Sequence, residues 1–225
     1  MEFKKFSVGN FKYGDSSPQV DKVKMSEDGV TNVNFSDPVL FEHYADYQSP
    51  NYEGVHRFME ILSVCHTVIA EKSKHSPDHL AYNASSPDEL ALVNAAKYFG
   101  YSFKGRDEEN NVLVELKGSP AEDLAMSSPV KKYRLLNVVE FTSTRKRMTV
   151  IVRSLQPEDE GAIRVMCKGA DSIIIPRLRK GAKHGETLEK SKAYLEEFSK
   201  EGLRTLVIAE KRISDDEYHM WNKEY

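Results

Sequence analysis

The sequence is poor in cysteine. Only Cys65 and Cys167 occur in 225 residues, each in an apolar stretch and without a CxxC pair. That excludes a disulfide-built scaffold and a zinc-ribbon spacing. Two buried free thiols in a reducing compartment are the simpler reading, and a single Cys65–Cys167 disulfide is the alternative. Long apolar runs are missing too. The longest, residues 135–141 and 172–175, are strand-sized or shorter, far below the roughly 20 residues of a membrane-spanning helix. The opening Met1-Glu2-Phe3-Lys4-Lys5-Phe6 lacks the apolar centre of a signal peptide. An excess of one charge is also absent. Charged residues make up 30% of the chain, yet the net charge is only -3. Such a surface carries no electrostatic footprint for nucleic acid or an anionic bilayer. There is no GxxxxGK[ST] loop, no GxGxxG and no GxSxG. His75 and His79 are spaced as helix ligands, but Pro77 between them breaks a helix. Neither a resident metal nor a catalytic nucleophile is expected, and no internal repeat or low-complexity segment occurs.

What is present is enough apolar material, 40% of the residues, for a substantial core. Residues 1–14 read as an extended lead-in. Residues 13–50 are polar and turn-rich (Gly14-Asp15-Ser16-Ser17-Pro18, Asp28-Gly29, Asp37-Pro38) and read as a partly mobile loop with short ordered pieces. Val55, Phe58, Met59, Leu62, Cys65, His66 and Ile69 recur at three and four, which predicts a helix over 52–71. Residues 72–79 read as a polar turn. Ser86-Pro87-Asp88-Glu89 is a capping box that opens a second helix, and Gly100 stops it. Strands are predicted over 101–103, 111–116, 133–141, 146–153 and 162–167, with a loop over 118–129. A short helix over 171–178 and a longer one over 185–200 follow, the latter ended by Gly202. A strand over 203–212 and a helix over 215–225 complete the chain. This order predicts one α+β domain over 1–225, a mostly antiparallel β-sheet flanked by helices.

Several residues have both an ordinary and a chemical reading. Phe141, at a strand end, is a core phenylalanine or an aromatic platform for a flat base. Lys168 is a solvated strand-end lysine, or, beside the small Gly169 and Ala170, an ammonium in a ligand pocket. Arg204 is a rim salt bridge or a phosphate fork. Glu89 completes a helix cap or accepts a bond from a base amino group. Arg145-Lys146-Arg147 is a solvated hairpin or a lure for a polyanion.

These pieces closely resemble the nucleotide-binding domain of type IV P-type ATPases, the phospholipid flippases. The resemblance rests on Ser86-Pro87-Asp88-Glu89, Glu140-Phe141-Thr142-Ser143-Thr144-Arg145-Lys146-Arg147-Met148, Lys168-Gly169-Ala170-Asp171 and Glu201-Gly202-Leu203-Arg204-Thr205-Leu206, in the family's order. Residues 1–6 resemble the stretch just after the family's phosphorylation motif. The likeness implies an ATP-binding domain on the cytosolic face of a membrane, cut from a larger magnesium-dependent translocase. By match, Phe141 stacks on adenine, Glu89 meets its amino group and Lys168 lines the pocket. Arg204 then holds a phosphate, Ser143 and Lys146 are lesser contacts, and Gly169 permits close approach. The implied partners are ATP, the phosphorylation and actuator domains of the parent protein, and a β-subunit glycoprotein. The phosphorylation motif Asp-Lys-Thr-Gly-Thr is absent, so the chain is expected to bind ATP without hydrolysing it. The alternatives are the equivalent domain of a cation pump, a non-catalytic interaction domain of the same fold, and a self-contained phosphohydrolase.

Overall fold

The structure is a computed structural model that describes residues 1–14, 29–72, 80–118 and 129–225. Its centre is a six-stranded antiparallel sheet built from β5 (Tyr101–Arg106), β6 (Asn111–Leu116), β7 (Val130–Val139), β8 (Arg147–Ser154), β9 (Ile163–Gly169) and β10 (Val207–Ile213). Each strand pairs with the next in sequence, so the sheet is a meander in chain order. The period-two pattern fixes its faces. Val112, Val114 and Leu116 on β6 are buried on the same side as Met148, Val150 and Val152 on β8. That face carries α2 (Tyr52–Val64) and α3 (Pro87–Tyr98), whose Val55, Met59, Leu62, Val93 and Ala96 complete the main core. On the opposite face Ile151 and Ile163 pack under Tyr218 and Trp221 of α6 (Asp215–Glu224).

The predicted α+β class holds, with differences at the edges. Residues 1–14 are not a plain lead-in but hold a small antiparallel hairpin, β1 (Phe6–Val8) and β2 (Phe11–Tyr13). Its Phe6 and Tyr13 join the main core. Within the polar stretch after Gly14, α1 (Pro38–Ala45) is a helix capped by Asp37, which accepts from the Val39 and Leu40 amides. The helix predicted over 52–71 stops at Val64. Ile69–Lys72 instead forms β3, paired with β4 (Leu80–Asn83). The reason is local: Cys65 leaves helical geometry with ψ 74°, and Ile69, counted in the apolar period, stands exposed on the strand that follows. The turn residues 15–18 and 28, residues 73–79 with His75 and His79, and residues 119–128 lie outside the described residues.

After β9 come α4 (Asp171–Ile174), extended by a 3₁₀ turn over Ile175–Arg177, and α5 (Ala182–Lys200). Gly202, at φ 76°, closes α5. The Gly202 amide donates to Ser199 and the Leu203 amide to Phe198, the paired bonds that end a helix in a left-handed residue. Cys65 and Cys167 are free thiols.

Candidate functional site

The four segments that carry the chemical candidates come from distant parts of the chain, yet the meander brings them to one end of the sheet. β7 ends there, the β7–β8 connection crosses it, β9 ends there and β10 begins there. The pairing makes this concrete: Met148 on β8 lies opposite Lys168 on β9, and Gly169 lies opposite both Arg147 and Val207. The N-terminus of α3 packs over the same end through two ion pairs. Lys168 Nζ is 2.8 Å from Glu89 Oε1, and Arg204 Nε is 2.9 Å from Asp88 Oδ2.

Lys168 is not the solvated strand-end lysine of the ordinary reading. It lies within β9, on the helix-covered face, and its side chain is only 8% exposed. Burial of an ammonium demands a partner, and Glu89, 11% exposed, supplies it. Glu89 Oε2 also accepts from the Thr67 hydroxyl at 2.7 Å and the Thr67 amide at 3.3 Å. Burial disfavours the Glu89 carboxylate, but the Lys168 charge and the bonds from Lys168 and Thr67 outweigh it. They hold its pKa below the usual carboxylate range. The predicted capping box is therefore only half made. Ser86 Oγ accepts from the Glu89 amide at 3.5 Å, whereas the Glu89 carboxylate turns to Thr67 and Lys168. One carboxylate cannot reach both the cap and the ammonium, and the buried charge wins.

Phe141 is not a core residue. β7 ends at Val139, and Phe141 lies two residues beyond it with 59% of its surface exposed. The turn that follows is held by its own backbone. The Lys146 amide donates to Thr142 at 2.8 Å, and Arg145 is tied down through its guanidinium to the carbonyls of Val139, Glu140 and Arg147. Arg145 thus braces the hairpin. Ser143 and Lys146 are exposed, and Lys146 sits at φ 50°. Gly169 has a structural duty that the sequence did not reveal. A Cβ there would lie 2.5 Å from the Lys146 carbonyl oxygen and 2.8 Å from the Arg147 Cα. Its missing side chain makes room for the neighbouring strand, a reason complete without a ligand.

Arg204 does not begin a strand. It lies in the irregular stretch between Gly202 and β10, with its side chain 65% exposed. It also borders a cleft of about 920 Å³, lined among others by Phe3, Arg57, Phe58, Asp88, Leu195 and Glu210. Neither Phe141 nor Lys168 lines that cleft. This cleft and the cluster of candidate residues therefore meet along Asp88 and Arg204. Sequence reasoning missed Thr67 and His66. Both follow a helix end and carry no motif, and only the packing of that connection against α3 gives them a part.

An antiparallel meander under two helices, with an exposed aromatic and an ion-paired lysine at one sheet end, is an α+β domain built to present side chains from one edge. The chain belongs to the P-type ATPase cytoplasmic N domain family, whose model, described as "P-type ATPase, cytoplasmic domain N", matches residues 54–225. Among curated proteins it is similar to the phospholipid-transporting ATPase DRS2 of Saccharomyces cerevisiae, 38% identical over all of this chain and 15% of the relative. It is also similar to DNF2 of the same yeast, 40% identical over 75% of this chain and 10% of the relative. Phospholipid-transporting ATPase 10 of Arabidopsis thaliana is 34% identical over the whole chain and 19% of its own length. The chain thus spans between a tenth and a fifth of these relatives. Among the described residues no helix is long and apolar enough to cross a membrane.

Proposed function

We propose that this chain binds ATP as the N domain of a phospholipid-transporting P-type ATPase and presents it to an aspartate on a neighbouring phosphorylation domain. The exposure of Phe141 carries the reading. A phenylalanine with 59% of its surface in solvent keeps its ring available, and covering it with a flat base would gain the burial energy that folding left unused. It stands at the sheet end where the family's lysine, glutamate and arginine positions also gather. The residues suit the nucleotide unequally. Phe141 offers a face for adenine. Lys168 and Glu89 neutralise each other, so they form a polar floor for the base rather than a phosphate clamp. Lys146 is exposed and Arg204, though paired with Asp88, keeps most of its side chain in solvent, so these two are the cations placed to meet phosphate, with Ser143 in the same turn as Lys146. Magnesium would accompany the phosphates in the parent enzyme, where it neutralises charge during transfer.

The parent activity is inferred from what the relatives are called. On this reading the domain works at the cytosolic face of a membrane with phosphorylation and actuator domains, and the parent pairs with a β-subunit glycoprotein. The isolated chain binds ATP and does not turn it over. Thermal unfolding with and without ATP tests this. A ligand at a hundred times its Kd adds about 2.7 kcal/mol of stability to the state that binds it. A melting curve indifferent to millimolar ATP would favour the interaction-module reading instead.

A further inference from the structure

We infer that Thr67 is a positioning residue of the nucleotide site: its hydroxyl and amide hold the Glu89 carboxylate against Lys168, and so keep that lysine paired and turned to the base. The inference rests on the nucleotide reading above and adds a residue to it that lies outside every matching motif.

The geometry converges from three elements. Thr67 lies in the connection between α2 and β3, Glu89 in the first turn of α3, and Lys168 on β9. Glu89 Oε2 takes both Thr67 donors, and Oε1 faces Lys168 Nζ at 2.8 Å. Oε2 is thus held by two hydrogen bonds while Oε1 is buried against the ammonium as an ion pair, so the position of the carboxylate is set from both ends. Without the Thr67 hydroxyl, Oε2 would lose the shorter of its two bonds and keep only the 3.3 Å contact from the backbone amide, and the carboxylate would be freer to swing off the ammonium.

The connection is itself pinned on both sides of Thr67. The Val68 amide donates to His66 Nδ1 at 3.1 Å, so Nδ1 carries no proton. His66 Nε2 therefore carries it and donates to the Ser63 carbonyl at 2.9 Å. The ring is buried against the edge of Phe103. Burial, reinforced by the nearby Lys168 charge, pushes its pKa down to about 3, so the ring stays neutral and the clasp holds at all ordinary pH. Upstream, the Cys65 amide donates to Ile61 and closes the helix. A threonine held this firmly, with both donors on one oxygen, is a fixed support for that carboxylate.

The test has a ligand-free arm and a nucleotide arm on the 225-residue chain. In the first, Lys168 is labelled with an amine-reactive acylating reagent without nucleotide, and its modification is followed by mass spectrometry. Thr67→Val is expected to speed labelling about tenfold, the factor set by the loss of a bond to a charged group. Thr67→Ser, which keeps the hydroxyl, is expected to stay within about twofold of the wild type, a change too small for a lost hydrogen bond. In the second, calorimetric titration is expected to show Thr67→Val weakening adenosine and ATP by the same factor, with Thr67→Ser restoring both. Labelling rates equal in wild type and Thr67→Val, or a Thr67→Ser protein no better than Thr67→Val, would overturn the positioning role. Expected labelling with no binding of either compound by the wild type would leave the tether standing and sink the nucleotide reading, and with it the site role of Thr67.

Discussion

At the scale of single residues, Phe141 and Gly169 do opposite kinds of work. Phe141 adds nothing to the core, so Phe141→Ala is expected to leave the unfolding midpoint unchanged. It should weaken ATP binding by roughly 1–3 kcal/mol, the usual worth of a base–aromatic stack, as calorimetry would register. Gly169→Ala is expected to do the reverse. Its Cβ would press on the Lys146 carbonyl at 2.5 Å, and overpacking of this kind costs about 1–3 kcal/mol, to be read from urea denaturation. Glu89 ties stability to pH. Its folded pKa is lowered, first against the cost of burial and then by Lys168 and Thr67. An unfolded glutamate titrates near about 4.3, so in the window below that value the unfolded chain binds more protons than the folded one. The stabilisation is complete above this window and disappears as pH falls through the lowered folded value. Lys168→Met removes the main cause of the lowering, so that variant should lose less stability between neutral and acid pH. The sequence marked Phe141, Lys168 and Glu89 as candidates but left each with two readings. Exposure and partners lie with neighbours more than 20 residues away, and no spacing encodes them.

At the scale of elements, helix starts and stops written in local chemistry were legible. Ser86 before Pro87 and Gly202 after α5 both act where the residue types place them, because capping is satisfied within a turn of the residue itself. α1 was not legible. It buries only Leu40 and Tyr44, a single pair at i and i+4, too short a pattern to stand out from polar surroundings. Asp37 shows what holds it. The carboxylate accepts from Val39 and Leu40 and, at 2.7 Å, from the Gly14 amide, so one side chain caps a helix and anchors the end of the β1–β2 hairpin. Asp37→Ala is expected to cost about 1–2 kcal/mol, at the upper end for a cap because a third bond goes with it. A loss that exceeds that of Ser86→Ala in parallel denaturant titrations would bear this out. Ser86 makes one long bond, at 3.5 Å.

At the scale of the molecule, helix, sheet and edge strand are locked by a charge that no motif announces. Arg164 on β9 is 2% exposed and lies between Glu60 of α2 and Glu210 of β10, while Tyr133 of β7 donates to the same Glu60. Burial works against the Glu60 carboxylate, but Arg164 and then Lys131 prevail and keep it ionised below the ordinary range. Arg164→Ala strips the buried Glu60 of its guanidinium and leaves Glu210 only the half-exposed Arg57 at 3.3 Å, and breaking a buried ion pair typically costs about 3–5 kcal/mol. The expected outcome is a protein with a sharply lowered denaturation midpoint. An unchanged midpoint would mean that the helix layer and the sheet are held by apolar packing alone.

Period and punctuation along the chain were enough to determine that helices cover a largely antiparallel sheet, and where most of these elements lie. Both signals arise from groups within a few residues of one another, which a linear reading can reach. Tertiary structure alone decided that Lys168 is sheathed rather than solvated, that Glu89 abandons its cap for an ammonium, and that Thr67 stands behind them. Those outcomes depend on which distant side chains the fold brings to a buried site, where a charge must be matched at close range or not be buried at all.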